Sequence, residues 1–231
     1  MCGRYALSLP APDGTEWPPG WIDRVRHPLA FVHRYNIAPS QPIPVIRLEQ
    51  GEPVVRELRW GLIPPWAKDT KIGYSTINAR VEGLTGKPAF RHAWKQEQRC
   101  LIPALGWYEW KADSGGKQPY FLRLQGGGAL VMAAGLWDRW SDPEGAATES
   151  ATILTCAAQA NLREIHERQP RLLAPADWEA WLEVSAADAA RWLSPEPFEI
   201  EAYPVSKAVN APRNEGADLI QRLTLRTPDA I

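Results

Sequence analysis

The chain has little of almost every feature that announces a function by composition. Its 231 residues include three cysteines, Cys2, Cys100 and Cys156, an odd number with no C-x-x-C spacing. Neither a disulfide framework nor a zinc site is expected from them. The four histidines, His27, His33, His92 and His166, do not fall at ligand spacing with carboxylates, so no metal and no cofactor is implied. Phosphate-loop, dinucleotide-binding, G-x-S-x-G and H-E-x-x-H patterns are all missing. The strongest apolar run, Ala129 to Trp137, falls far short of the roughly 20 residues a membrane span needs. No apolar leader follows the N-terminus, which makes the cytoplasm the expected compartment. Charge of one sign is lacking too, since 26 basic and 27 acidic side chains leave a net charge of −1. A nucleic-acid partner would have to be held by a local patch. Nothing suggests more than a monomer.

What the chain does have is twelve tryptophans and 22 prolines in an otherwise ordinary globular composition. Large rings fill cores, and they also line grooves in which flat ligands stack. Short runs rich in branched and aromatic residues predict strands at Arg4–Leu9, Pro44–Arg47, Val54–Trp60, Cys100–Ile102, Trp107–Lys111, Tyr120–Leu124, Leu130–Trp137, Thr152–Cys156 and Phe198–Tyr203. Helices are predicted at Pro88–Gln96, Ala158–His166, Pro175–Leu182 and Ala186–Leu193. Strands outnumber helices without alternating with them. That pattern favours a single α+β domain, a barrel-like sheet core with peripheral helices.

Several residues carry candidate chemistry. Cys2 follows the initiator, and a small second residue permits removal of Met1. The exposed residue would then offer an α-amine and a thiol on adjacent carbons, with ordinary pKa values near 8 and 8.5. An amine condenses with an aldehyde to an imine, and the neighbouring thiol can close on the imine carbon to a thiazolidine, helped by high effective molarity. The competing reading is a cysteine that merely starts a buried strand. Asn78 and Arg80 stand two apart in Ile77-Asn-Ala-Arg, so in an extended segment both face one side. Glu109 lies among Trp107, Tyr108 and Trp110, where desolvation would raise its pKa, unless it simply points outward. His166 and Arg168 form His-x-Arg at the end of a predicted helix. The histidine suits proton exchange or helix-dipole compensation, and the arginine suits a phosphate. Trp66 and Tyr74, with Trp60, Arg59, Lys68, Lys71 and Arg80 nearby, suit a stacking platform beside a phosphate track; alternatively a proline-rich loop packs these rings inward. The run from Tyr203 to Arg213 carries no derivable chemistry.

Taken in order, Cys2-Gly-Arg-Tyr, Tyr35-Asn-Ile-Ala-Pro-Ser-Gln, Arg59-Trp-Gly-Leu-Ile-Pro, Ile77-Asn-Ala-Arg, Arg99-Cys-Leu-Ile-Pro, Gly106-Trp-Tyr-Glu-Trp, Ala134-Gly-Leu-Trp, His166-x-Arg and Val205-Ser-Lys-Ala-Val-Asn resemble the SRAP (SOS response-associated peptidase) family of abasic-site processing proteins, from Cys2 to about Leu223. The resemblance implies a mixed, strongly twisted, barrel-like β core with surrounding helices. It implies covalent capture of abasic sites in single-stranded DNA through Cys2. Asn78 would position the N-terminus or the opened sugar, Glu109 would shuttle protons, and His166 would assist sugar ring opening and the reverse reaction. Arg4, Arg80 and Arg168 would contact phosphates, with Trp66, Tyr74 and Trp110 stacking or wedging beside the lesion. Two departures stand out. Gln169 replaces the family's methionine in His-x-Arg-Met-Pro, and a segment from Pro10 to Arg26, with Trp17 and Trp21, has no clear counterpart. Two other readings compete: a peptidase using the Cys2 thiol, with Glu109 and His166 as bases, and a non-catalytic single-strand binder.

Overall fold

The structure is a computed structural model describing residues 2–9, 25, 32–127 and 130–223; the Pro10 to Arg26 segment, Val25 apart, lies outside the described residues. The strands are β1 (Tyr5–Leu9), β2 (Val32–Ile37), β3 (Pro42–Glu49), β4 (Glu52–Trp60), β5 (Asn78–Arg80), β6 (Arg99–Ala104), β7 (Gly106–Asp113), β8 (Gly116–Leu124), β9 (Val131–Ser141), β10 (Ala147–Ala157), β11 (Arg168–Pro170), β12 (Leu172–Leu173) and β13 (Ile200–Pro204). Helices α1 (Pro88–Lys95) and α2 (Trp178–Glu183) sit outside them. No helix among the described residues is long and apolar enough to cross a membrane.

Five strands form an antiparallel sheet in the order β13-β8-β7-β1-β2. The other sheet runs β10-β4-β3-β6-β9 and closes on itself where β9 pairs with β10, a barrel without free edges at the seam. It is mixed, because β4 and β10 run parallel while the remaining barrel pairs are antiparallel. The β3–β4 hairpin turns on Gln50 and Gly51, both at positive φ, as a two-residue turn matching strand twist requires. Side chains then sort by the two-residue period of a strand. On β6, Cys100 and Ile102 join the core beneath the five-stranded sheet, while Leu101 joins the core under α1 and α2. The expected α+β architecture, with a twisted barrel-like core and outlying helices, is what is found.

β10 is the hub that brings the candidate residues together. Past its contact with β4 it pairs with β5 at Ile153–Thr155 and with β11 at Thr155–Ala157. The loop that follows β4 is fixed by a close approach of backbones. Gly61 has φ +119°, and a Cβ there would stand 2.3 Å from the Gly73 carbonyl oxygen. Gly73 belongs to the 3-10 turn Thr70–Tyr74, so this contact seats Tyr74. Gly61→Ala is expected to destabilise the protein by more than about 2 kcal/mol in urea unfolding, since both the backbone conformation and the clash oppose a side chain. A loss under about 0.5 kcal/mol would show that the approach is not needed.

Two predicted helices need correction. Ala158–His166 holds only a 3-10 turn at Ala160–Leu162 and then runs into β11. Its helix formers lose to strand pairing with β10 and to Gln169, whose buried side chain accepts the Gln159 N–H at 2.9 Å. That contact is what the departure from methionine provides. Ala186–Leu193 is a 3-10 helix over Asp188–Leu193 rather than an α-helix.

Candidate active site

Cys2 sits at the leading end of β1, where the five-stranded sheet meets β5 and β10. Its carbonyl oxygen accepts the Asn78 side-chain N–H at 2.7 Å, and the N–H of Tyr108 donates to the Arg4 carbonyl at 2.9 Å. The second bond lays β7 beside the N-terminal segment and brings Glu109 up to Cys2. The cysteine is buried, its thiol donates to the Arg4 carbonyl at 3.9 Å, and it lines a small apolar cavity of about 10 Å³ with Tyr5, Ile102, Trp107 and Val131 among others. Burial, reinforced by the Glu109 charge, pushes the thiol well above the ordinary value expected from sequence. The resting sulfur is therefore a neutral thiol.

Glu109 is 2% exposed, and burial raises its carboxyl to about 7. His166 faces it, with Nε2 at 3.9 Å from Oε2. His166 Nδ1 lies 2.9 Å from the Arg168 backbone nitrogen and 3.2 Å from the Arg168 carbonyl oxygen; when it accepts the shorter contact's N–H, the neutral ring carries its proton on Nε2, towards Glu109. Burial lowers the imidazole's pKa, so the neutral ring is favoured. The pair thus combines a carboxyl poised near neutrality with an uncharged imidazole, an arrangement suited to passing protons.

Two open clefts are lined by the residues around Cys2. One, of about 490 Å³, is lined by Glu109, Trp110, Lys117, His166 and Asn210. The other, of about 450 Å³, holds Asn78 and Arg80 together with Thr76, Lys87 and Phe90, so the two-apart spacing does set Asn78 and Arg80 on one site. Trp66 and Tyr74 are 56% and 65% exposed. Trp66 donates its indole N–H to the Pro88 carbonyl at 3.3 Å, beside the second cleft, and Arg59 stacks 5.6 Å over the Tyr74 ring. Trp60 instead lies in the core with its indole N–H on the Ile77 carbonyl.

The arginines divide. Arg80 is exposed and has no side-chain hydrogen bond among the described residues. Arg4 is half-buried, donating to Asn36 Oδ1 at 2.6 Å and to the Val209 carbonyl at 2.8 Å. Arg168 is 8% exposed, its fork held by both Glu82 oxygens at 2.8 Å each. Protein acceptors thus already engage the forks of Arg4 and Arg168. Sequence reasoning also passed over Asn36, Glu82, Lys117 and Asn210. Asn36 donates to the Val209, Ala211 and Asn214 carbonyls and so locks the segment bearing Asn210, which accepts the Trp110 indole N–H at 2.7 Å. That segment is the one from which no chemistry was derivable. A lone Asn in sequence gives no signal of such a contact.

A family model, SOS response associated peptidase (SRAP), matches residues 1–212. The chain belongs to the SRAP family. It is 39% identical over 225 residues to the abasic site processing protein YoaM of Bacillus subtilis, covering 95% of this chain and 97% of that one. With YedK of Escherichia coli the identity is 31% over 229 residues, covering 96% and 99%. With HMCES of Gallus gallus it is 28% over 275 residues, covering 100% of this chain and 80% of that one. An X-ray structure of a protein from Bacteroides thetaiotaomicron superposes with a TM-score of 0.78 at 25% identity, covering 96% of this SRAP chain and 100% of that chain.

Proposed function

We propose that this SRAP protein captures abasic sites in single-stranded DNA by closing a thiazolidine on Cys2 once Met1 has been removed. The observation that carries the reading is the convergence on Cys2. Asn78 holds its carbonyl at 2.7 Å, and Glu109, raised to about 7, stands beside it and opposite His166. An abasic deoxyribose opens to an aldehyde, the electrophile that an amine and a thiol on adjacent carbons take best.

His166 assists ring opening by moving a proton between the hemiacetal hydroxyl and the ring oxygen. The Cys2 amine then adds to the aldehyde carbon, C1′. Glu109 in its acid form protonates the resulting hydroxyl, which leaves as water, and the iminium and a Glu109 carboxylate remain. That carboxylate takes the thiol proton as sulfur bonds to C1′, which closes the ring and restores the acid. One water is lost overall. A neutral resting thiol fits this order, because its base appears only when the iminium does. Arg80 contacts a backbone phosphate, Trp66, Tyr74 and Trp110 stack against neighbouring bases, and Arg4 holds the framework. The partner is a single strand, and one copy of the chain completes the site.

The test mixes protein lacking Met1 with a single-stranded oligonucleotide bearing one abasic site. A heat-stable adduct is expected, with an intact mass equal to both components less one water. Equal adduct from protein that retains Met1 would overturn the reading, because its Cys2 nitrogen is an amide.

A further inference from the structure

We propose that Glu82 is a positioning residue for His166, acting through Arg168; the inference rests on the capture reading above. Glu82 follows β5 at the point where the Val81 N–H bonds the Thr155 carbonyl at 2.9 Å. Its two oxygens take Arg168 Nη1 and Nη2 at 2.8 Å each, a planar bidentate pair. Nη2 also donates to the Thr155 carbonyl at 2.6 Å. The guanidinium is thereby pinned between β5 and β10, and the Arg168 main chain is held from its side chain as well as from its own strand.

That main chain acts on the reacting pair. Both the N–H and the carbonyl of Arg168 face His166 Nδ1, at 2.9 and 3.2 Å, and with Nδ1 accepting the N–H the ring proton sits on Nε2, opposite Glu109 Oε2 at 3.9 Å. A run of contacts therefore joins an exposed carboxylate to the buried acid: Glu82, Arg168, His166, Glu109. If Arg168 shifts, the imidazole loses the contact that orients Nδ1, and the donor towards the sugar is displaced. Hydrogen bonds from Arg168 also hold the Glu82 carboxyl below its usual range, which keeps it a carboxylate. The rival role for the same contact is a gate, in which Glu82 shields a phosphate-binding fork until DNA displaces it.

Glu82→Gln and Glu82→Asp are compared with the wild type at saturating abasic single strand. For Glu82→Gln the crosslinking rate is expected to fall about tenfold, the scale on which a misplaced group costs rate. Affinity for an undamaged strand should change less than about twofold, and the pH profile of the rate should move as His166 loses its fixed proton. Glu82→Asp, which keeps the charge, should recover part of the rate. Tighter binding with an unchanged rate would overturn the proposal in favour of the gate, and wild-type behaviour throughout would overturn it outright. Nitrogen-15 NMR of wild-type His166 needs no variant: a neutral ring protonated on Nδ1 would also overturn it. If the wild type forms no adduct at all, the capture reading fails; if it does and Glu82→Gln matches it, only this inference fails.

Discussion

Cys2→Ser is expected to abolish the heat-stable adduct while leaving an imine that borohydride can trap. The variant keeps the α-amine, so carbinolamine and iminium still form with Asn78, Glu109 and His166 in place. It loses the sulfur that closes the ring. A hydroxyl is a much weaker nucleophile than a thiol, and stable product should fall on the order of a hundredfold or more. Cys2→Ala should behave alike in chemistry and differ in stability. Residue 2 is 1% exposed beside an apolar cavity, and the Arg4 carbonyl, 3.9 Å from the sulfur, is too far for the shorter serine hydroxyl, whose loss of a partner costs about 1–3 kcal/mol. Alanine leaves only a small void. The pair therefore separates loss of chemistry from loss of fold: both variants lose adduct, and serine alone unfolds earlier in urea. Heat-stable adduct at the wild-type level in either one would remove sulfur from the mechanism.

What the sequence reveals about this site follows from the range over which each contact acts. The strand runs are legible because their two-residue alternation is local, and α1 is found at Pro88–Lys95, close to its predicted bounds. Asn78 and Arg80 are legible for the same reason, since a pleated segment fixes their common side. For Glu109 the aromatic neighbours leave a desolvated or an outward carboxyl equally open, and the packing of β7 beside the N-terminal segment decides for burial. Barrel closure is different, because it depends on β10 meeting both β9 and the distant β4, and assembly of the site depends on β10 also meeting β5 and β11. The Ala158–His166 stretch has helix-forming composition, yet Gln169 and the β10 edge decide its course from outside. Free or engaged forks at Arg4, Arg80 and Arg168 cannot be told apart by residue type, since engagement depends on distant partners: Asn36 and Val209 for Arg4, Glu82 and Thr155 for Arg168.

Glu109→Gln is expected to move stability and rate in opposite directions, and pH separates the two effects. The folded protein raises this carboxyl from its ordinary value of 4.5 to about 7, chiefly by burial. Between those pH values the folded state holds a proton that the unfolded chain has released, so stability falls as pH rises through the window and levels off above it. Raising a carboxyl this far corresponds to about 3 kcal/mol. Glutamine removes the titration. Urea unfolding of Glu109→Gln against wild type should therefore show almost no gain below pH 4.5 and a gain approaching about 3 kcal/mol above pH 8. The crosslinking rate should drop by roughly a hundredfold or more, the usual contribution of a positioned acid and base, and its dependence on the group near 7 should vanish. A structural glutamate would lose stability on replacement at every pH. A stability difference that does not vary with pH would mean that Glu109 is ionised in the folded protein, and its part in dehydrating the carbinolamine would have to pass to His166.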